Sequence, residues 1–303
     1  MYHEILASAP GPGSTIYAGG YIADTCTFSV TSGTTTTPVQ TLTTTGGRDI
    51  FLARFNTFTG AVDLTKTYGG TADDEITGAA STGGSLVVAG RFGGDPAGVP
   101  PGTLKFGGTA APLTSNGGLD IFVAKLDTSG NGVWAVHFGG AGDERDPRIA
   151  VDPAGDVYVT GTFTGQIAFG AVNLVAMGDI DVFVAKLRGS DGSVAWAISR
   201  GTPGTDRAGD IAVDATGHVV LGASLNGTPM ANGDALLESF DASNGSSRWA
   251  RMFATPGSDG IGVVTYGRNG DLYVTVGIGG AFDFGTPIIG AAGPAAVLLR
   301  VAP

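Results

Sequence analysis

DIFLARF at Asp49–Phe55, DIFVAKL at Asp120–Leu126 and DVFVAKL at Asp181–Leu187 are three copies of one short strand, and their recurrence decides the fold. Two weaker copies follow, DALLESF from Asp234 and AAVLLRV from Ala295. A second apolar run precedes each: TIYAGG before Tyr21, SLVVAG before Arg91, DVYVTG before Thr162, HVVLGA before Ser224 and DLYVTV before Gly277. Tandem repetition on this scale marks a unit that buries its apolar face by stacking on its neighbours.

With Ile16, Leu86, Val157, Val219 and Leu272 taken as equivalent, the copies are spaced by 70, 71, 62 and 53 residues. The stretch between the second run and the third measures 29, 30, 20 and 12 residues in the first four copies. The difference between the two series is 41 or 42 residues every time. One constant scaffold therefore carries one variable loop.

The third copy shows what the scaffold is. Ile149–Asp152 is a short apolar strand, and Asp152-Pro153-Ala154-Gly155 is a tight turn in which Gly155 supplies the positive φ. Val157–Thr162 alternates as a second strand, and Val182–Leu187 follows the variable loop as a third. A turn at Ser190-Asp191-Gly192 leads into Val194–Ser199. Alternation over short runs with Gly, Asp and Asn between them is the strand-and-hairpin signature. No stretch holds a 3.6-residue period, so no helix longer than two turns is expected.

Four-stranded antiparallel units in tandem are blades. The sequence thus predicts an all-β, five-bladed β-propeller in one domain, residues 1–303. The blades span approximately 1–70, 71–140, 141–201, 202–254 and 255–303. The last is expected to be three-stranded, because Ala295–Val301 has no WA strand after it. Such an edge is a template for β-augmentation, by a neighbouring subunit or by further residues of a longer parent.

Composition narrows the function classes. Glycine numbers 53 of 303 residues, supplying turns between many short strands, and only 14% of residues are charged. A net charge of −11 argues against nucleic acid and anionic membranes as partners. No apolar run approaches the ~20 residues of a membrane-spanning helix. Met1–Pro10 is too short and too polar for a signal peptide. Cys26 is the single cysteine, which excludes an intrachain disulfide or a cysteine metal site.

The stretch GGAGDERDPRIAVDPAGDVYVTG at Gly139–Gly161, followed by FVAKL and WA, resembles the SBBP-type β-propeller repeat of bacterial exported proteins. The likeness covers essentially the whole chain and is strongest in copies two and three. It implies a propeller in an extracellular or cell-surface setting. It implies no catalytic residues, since the family shares none.

An acidic residue recurs at every junction between copies: Asp74, Glu144, Asp206 and Asp259. Each lies four residues after the second glycine of a GG pair, or after the threonine that replaces it. Such a column could bind a cation such as calcium. It could equally be a set of loop caps accepting backbone N–H groups. Repetition favours caps, because every copy needs the turn and only one site needs a metal. No other cofactor is expected. Asp127–Gly132 loosely echoes a calcium loop but reads as a hairpin turn, without the downstream glutamate. His3, His137 and His218 lie at unrelated places in the repeat, and no GxSxG or HExxH motif is present. Trp134, Trp196 and Trp249 share one place on the fourth strand, where a wedge between blades is favoured over a sugar-stacking set.

The variable loops carry Leu42, Leu113, Leu174 and Ile288 at one fixed distance before the third strand. Three also carry a Phe-Gly pair, at Phe106, Phe169 and Phe284. Ordered hairpins are expected, and these aromatics are taken to mark the binding face. An up-down-up-down blade puts the loops and the acidic column at one end. The expected function is a non-enzymatic binding or structural module for a protein or glycan ligand on that face. The alternative is an extracellular carbohydrate-active enzyme with differentiated carboxylates in a central channel.

Overall fold

A computed structural model describes residues 3–32, 35–94, 102–227, 233–255, 257–280 and 295–301. No helix occurs among them. The chain divides into two compact units, Met1–Pro147 and Arg148–Pro303.

The first unit holds two four-stranded sheets. Sheet one is Glu4–Pro10, Thr15–Ile22, Asp49–Asn56 and Val62–Tyr68. Sheet two is Glu75–Thr82, Ser85–Gly93, Leu119–Leu126 and Gly132–Phe138. Sheet three begins at the unit boundary with Glu144–Val151 and continues in the second unit with Val157–Phe163, Asp181–Leu187 and Val194–Arg200. Sheet four is Thr205–Val213, Val219–Gly227, Asp234–Phe240 and Ser247–Phe253. Sheet five has three strands, Gly260–Tyr266, Leu272–Ile278 and Ala295–Val301. In every sheet the strands lie side by side in chain order, as an antiparallel meander.

Three small two-stranded sheets complete the described structure. They pair Thr25–Ser32 with Thr35–Thr43, Thr103–Leu104 with Leu113–Thr114, and Gln166–Phe169 with Val172–Val175. Each is inserted between the second and third strands of its parent sheet. The variable loops of sheets one to three are therefore hairpins, as their spaced apolar residues led us to expect.

Strand register confirms the repeat alignment. Gly20 faces Phe51, Gly90 faces Phe122 and Gly161 faces Phe183. The glycine has a steric cause, seen best in sheet two. The first strand is irregular between Ile76 and Gly78, which brings the Glu75 carbonyl onto Gly90. A Cβ at Gly90 would collide with that backbone oxygen and with the Phe122 ring. The second and third strands are the sheet centres. Val87, Val88, Ala89, Val123 and Ala124 are all fully buried, so both pleat faces are covered. That is why these runs read as continuous apolar stretches while the outer strands alternate.

Candidate functional site

In a sequential meander, the loop after the second strand and the junction after the fourth leave the sheet at the same end. That end carries the hairpins and the acidic column. The four column residues are buried and act on their own junctions. Asp74 accepts the Gly70 N–H at 3.0 Å, Glu144 that of Gly140 at 3.1 Å, and Asp206 and Asp259 those of Thr202 and Thr255 at 2.6 Å. This is the geometry of a side-chain cap closing a tight loop.

A second carboxylate column, at the start of the third strands of sheets one to three, was visible in the sequence only as the D of DIF and DVF. Asp49, Asp120 and Asp181 are buried and repeat the same i→i−4 cap. They accept the N–H groups of Thr45, Asn116 and Met177, each at 2.9 Å. Gly139 lies directly against Asp120, where a Cβ would have no room. The GG pairs of the junctions thus serve two carboxylates. One presses against the first glycine, and the other caps the second.

The junctions differ in how far the carboxylates are satisfied. In the two with threonine, Thr202 and Thr255 also donate their hydroxyls to Asp206 and Asp259, at 3.0 and 2.9 Å. Where glycine stands instead, that donor is missing, and Asp74 Oδ1 and Glu144 Oε1 have no hydrogen-bond partner among the described residues, nor has Asp120 Oδ1 in the neighbouring column. Burial pushes Glu144 up to about 8, only partly offset by the Gly140 amide and reinforced by the neighbouring Asp120 charge. Asp74 is likewise pushed up to about 8 by burial, and Asp120 to about 6. Neutral carboxyls suit such a dry junction better than charged ones. Among the described residues no group of three or more His, Cys, Asp or Glu side chains converges as a metal centre.

The loop aromatics require a correction. Phe106 and Phe169 are 2% and 0% exposed, so they do not offer a surface to a ligand. Each hairpin instead seats its phenylalanine on the third-strand phenylalanine of its own sheet. Phe106 lies 5.2 Å from Phe122 and Phe169 lies 5.2 Å from Phe183, ring to ring. Phe28 plays the same part in the first hairpin, 5.7 Å from Phe51, though no Phe-Gly pair announces it. Leu42, Leu113 and Leu174 are buried beneath their hairpins. Phe284 and Ile288 lie outside the described residues. The exposed large apolar side chains here are Val175, at the end of the third hairpin, and Met177 just after it.

A shallow recess of about 680 Å³ opens at the loop end of sheets four and five. Arg207, Ser224, Asp259, Gly260, Gly277 and Ala296 line it. Its floor is small-residue backbone, with Ser224 Oγ held on the Asp259 carbonyl at 2.7 Å and Arg207 exposed at the edge. The histidines stay apart. His3 accepts the Ala23 N–H, His137 stacks edge-on against Phe92, and His218 bonds Asp214 in a turn. Asp127 accepts the N–H groups of Ser129 and Asn131 within its own turn, at 2.9 and 2.8 Å.

No family model matches the chain. A stretch of 156 residues is 24% identical to an uncharacterized WD repeat-containing protein of Acanthamoeba polyphaga mimivirus, covering 48% of this chain and 11% of that protein. The chain thus spans about a tenth of the length of the curated relative it matches. Among solved structures, it is similar to a Bacteroides caccae protein of unknown function, at 12% identity and a TM-score of 0.34. That match covers 74% of this chain and 78% of the other. A quinohemoprotein alcohol dehydrogenase of Pseudomonas putida HK5 matches at 14% identity and 0.40, covering 75% and 38%. A europium-containing methanol dehydrogenase matches at 12% and 0.40, covering 95% and 64%.

Proposed function

We propose that the chain is a five-bladed β-propeller of the SBBP type that binds a protein or glycan ligand at its loop end, without catalysis, outside the cell. The observation that carries this reading is the contrast between sheets of constant length and the hairpins of sheets one to three, which vary in length and each leave their own sheet between its second and third strands. Variable segments on a rigid frame are where proteins place recognition. The recess beside Arg207 and the exposed Val175 and Met177 lie at that same end. The five sheets would be the blades, and 1–303 one domain. Burial of both carboxylate columns argues against the glycosidase alternative, which needs an accessible acid and base. The same burial favours caps over a calcium site.

An array of glycans and extracellular proteins tests the proposal. It would be probed with the wild type, Arg207→Glu, the double variant Val175→Asp/Met177→Asp, and a control, Phe58→Asp, at the opposite end. Binding should fall in the loop-end variants and persist in the control. Binding indifferent to every loop-end change, or release of glycan fragments, would overturn it.

A further inference from the structure

The two units close their junctions differently. The first holds the glycine junctions, Gly69–Asp74 and Gly139–Glu144, and the second holds the threonine junctions, Gly201–Asp206 and Ala254–Asp259. Each glycine junction is gripped by two carboxyls. Asp49 and Asp120 lie on the first glycine, where a Cβ would collide with them, while Asp74 and Glu144 hold the N–H of the second. These four side chains are at most 2% exposed, and each keeps one oxygen without a hydrogen-bond partner among the described residues. The threonine junctions leave no such oxygen among the described residues. Asp206 takes the N–H and hydroxyl of Thr202, and Asp259 takes those of Thr255 together with the Gly279 N–H. Asp181 takes the N–H groups of both Met177 and Gly178.

Two orphaned acceptor oxygens in one dry junction favour a retained proton over two charges. The surroundings do not relieve them. Asp73 and Asp143 stand one residue before Asp74 and Glu144 and add negative charge. The neighbouring cations are engaged with other carboxylates. Arg48 lies 3.8 Å from Asp73 and 3.9 Å from Glu75, Arg91 lies 2.8 Å from Glu75, and Arg145 lies 2.6 Å from Asp143. His137 Nε2 is 3.9 Å from Asp120 Oδ2, but burial lowers its pKa, leaving the ring neutral where Asp74 and Glu144 titrate.

We propose that the glycine junctions are a pH-sensitive latch confined to the first unit, each closed while its carboxyl pair keeps a proton and released when both carboxyls ionise. Burial pushes Asp120 up to about 6 and both Asp74 and Glu144 up to about 8, and it raises Asp49 as well. A carboxyl that holds its proton more tightly in the closed junction favours closure at low pH, and that preference is lost as pH rises towards 8. Release frees more than the glycine pair. Asp49 and Asp120 hold the N–H groups of Thr45 and Asn116, two residues after the hairpin strands Thr35–Thr43 and Leu113–Thr114. The latch therefore governs the feet of the first two hairpins. The third hairpin has its foot at Met177 and Gly178, on an aspartate whose two oxygens are both satisfied. The latch does not depend on what the loop end binds.

Hydrogen exchange of the whole chain at pH 6, 7 and 8, corrected for the intrinsic rate at each pH and read peptide by peptide, tests it. In this window the opening constant of a latched junction rises by up to about tenfold per pH unit. Protection of 68–75 and 138–145 should fall at least tenfold from pH 6 to 8, while 200–207 changes less than about twofold. Asp74→Asn combined with Glu144→Gln should abolish the fall, because an amide has no proton to release in this range. Thr202→Gly should install the fall at 200–207 by recreating a glycine junction in the second unit. An equal fall at 200–207 in the wild type, or a fall that survives in the double variant, would overturn the proposal. So would a Thr202→Gly protein whose 200–207 segment stays indifferent to pH.

Discussion

Replacing Glu144 by glutamine should stabilise the protein at pH 8 and leave it almost unchanged at pH 5. In the native state burial lifts this carboxyl from 4.5 to about 8. Between those values the folded chain keeps a proton that the unfolded chain has released. The stability this contributes is complete below about pH 4.5 and drains away as pH rises towards 8. Each pH unit in that window is worth about 1.4 kcal/mol. From pH 5 to 8 the wild type should therefore lose about 2–4 kcal/mol through this one residue, the lower end allowing for water entering the junction as the charge forms. Glutamine has no proton to lose, and its amide oxygen can still accept the Gly140 N–H. Asp120 titrates in both proteins, so its share is largely common to the two curves. Urea unfolding followed by tryptophan fluorescence at pH 5, 6, 7 and 8, at fixed ionic strength, gives the two stability profiles. They should meet near pH 5 and diverge above it. Parallel profiles, or a glutamine variant weaker at pH 8, would refute a neutral carboxyl at this junction.

Thr202→Val removes the hydroxyl that Asp206 accepts and should cost about 1–2 kcal/mol, read as a lower urea midpoint. Gly90→Ala forces a methyl into the Glu75 carbonyl and should cost roughly 3 kcal/mol or more, seen as poor soluble yield and a lowered melting temperature. Phe169→Ala should cost about 3–5 kcal/mol by emptying the seat on Phe183, whereas an exposed binding aromatic would leave stability unchanged. A chelator should move the melting temperature by less than about 1 °C, because bound calcium would stabilise the fold by mass action and its removal would be seen as a drop of several degrees.

Much of this was legible in the residues. The DIF and DVF copies, the apolar run before each and the Gly and Asp turns specify strands and their order, because alternation and turn chemistry are local properties. The constant remainder placed every insertion between the second and third strands, and the spaced Leu42, Leu113 and Leu174 foretold hairpins. The sequence could also show that threonine at 202 and 255 becomes glycine at 70 and 140. It could not show that the Glu144 carboxyl is held well above its usual range, since that shift comes mainly from burial by parts of the chain far away in sequence.

The same limit governs the aromatics. Phe106 and Phe169 carry the pattern of loop residues, and only the folding of each hairpin back onto Phe122 and Phe183 makes them core. Phe28 joins them without any motif, because what matters is where its ring arrives. Trp196 and Trp249 are one residue type at one register on equivalent strands, yet one is covered by a turn and the other borders a recess. Alternation and turn chemistry are decided within a few residues of the chain. Burial is decided by whatever packs above, and that is settled only when the sheets come together.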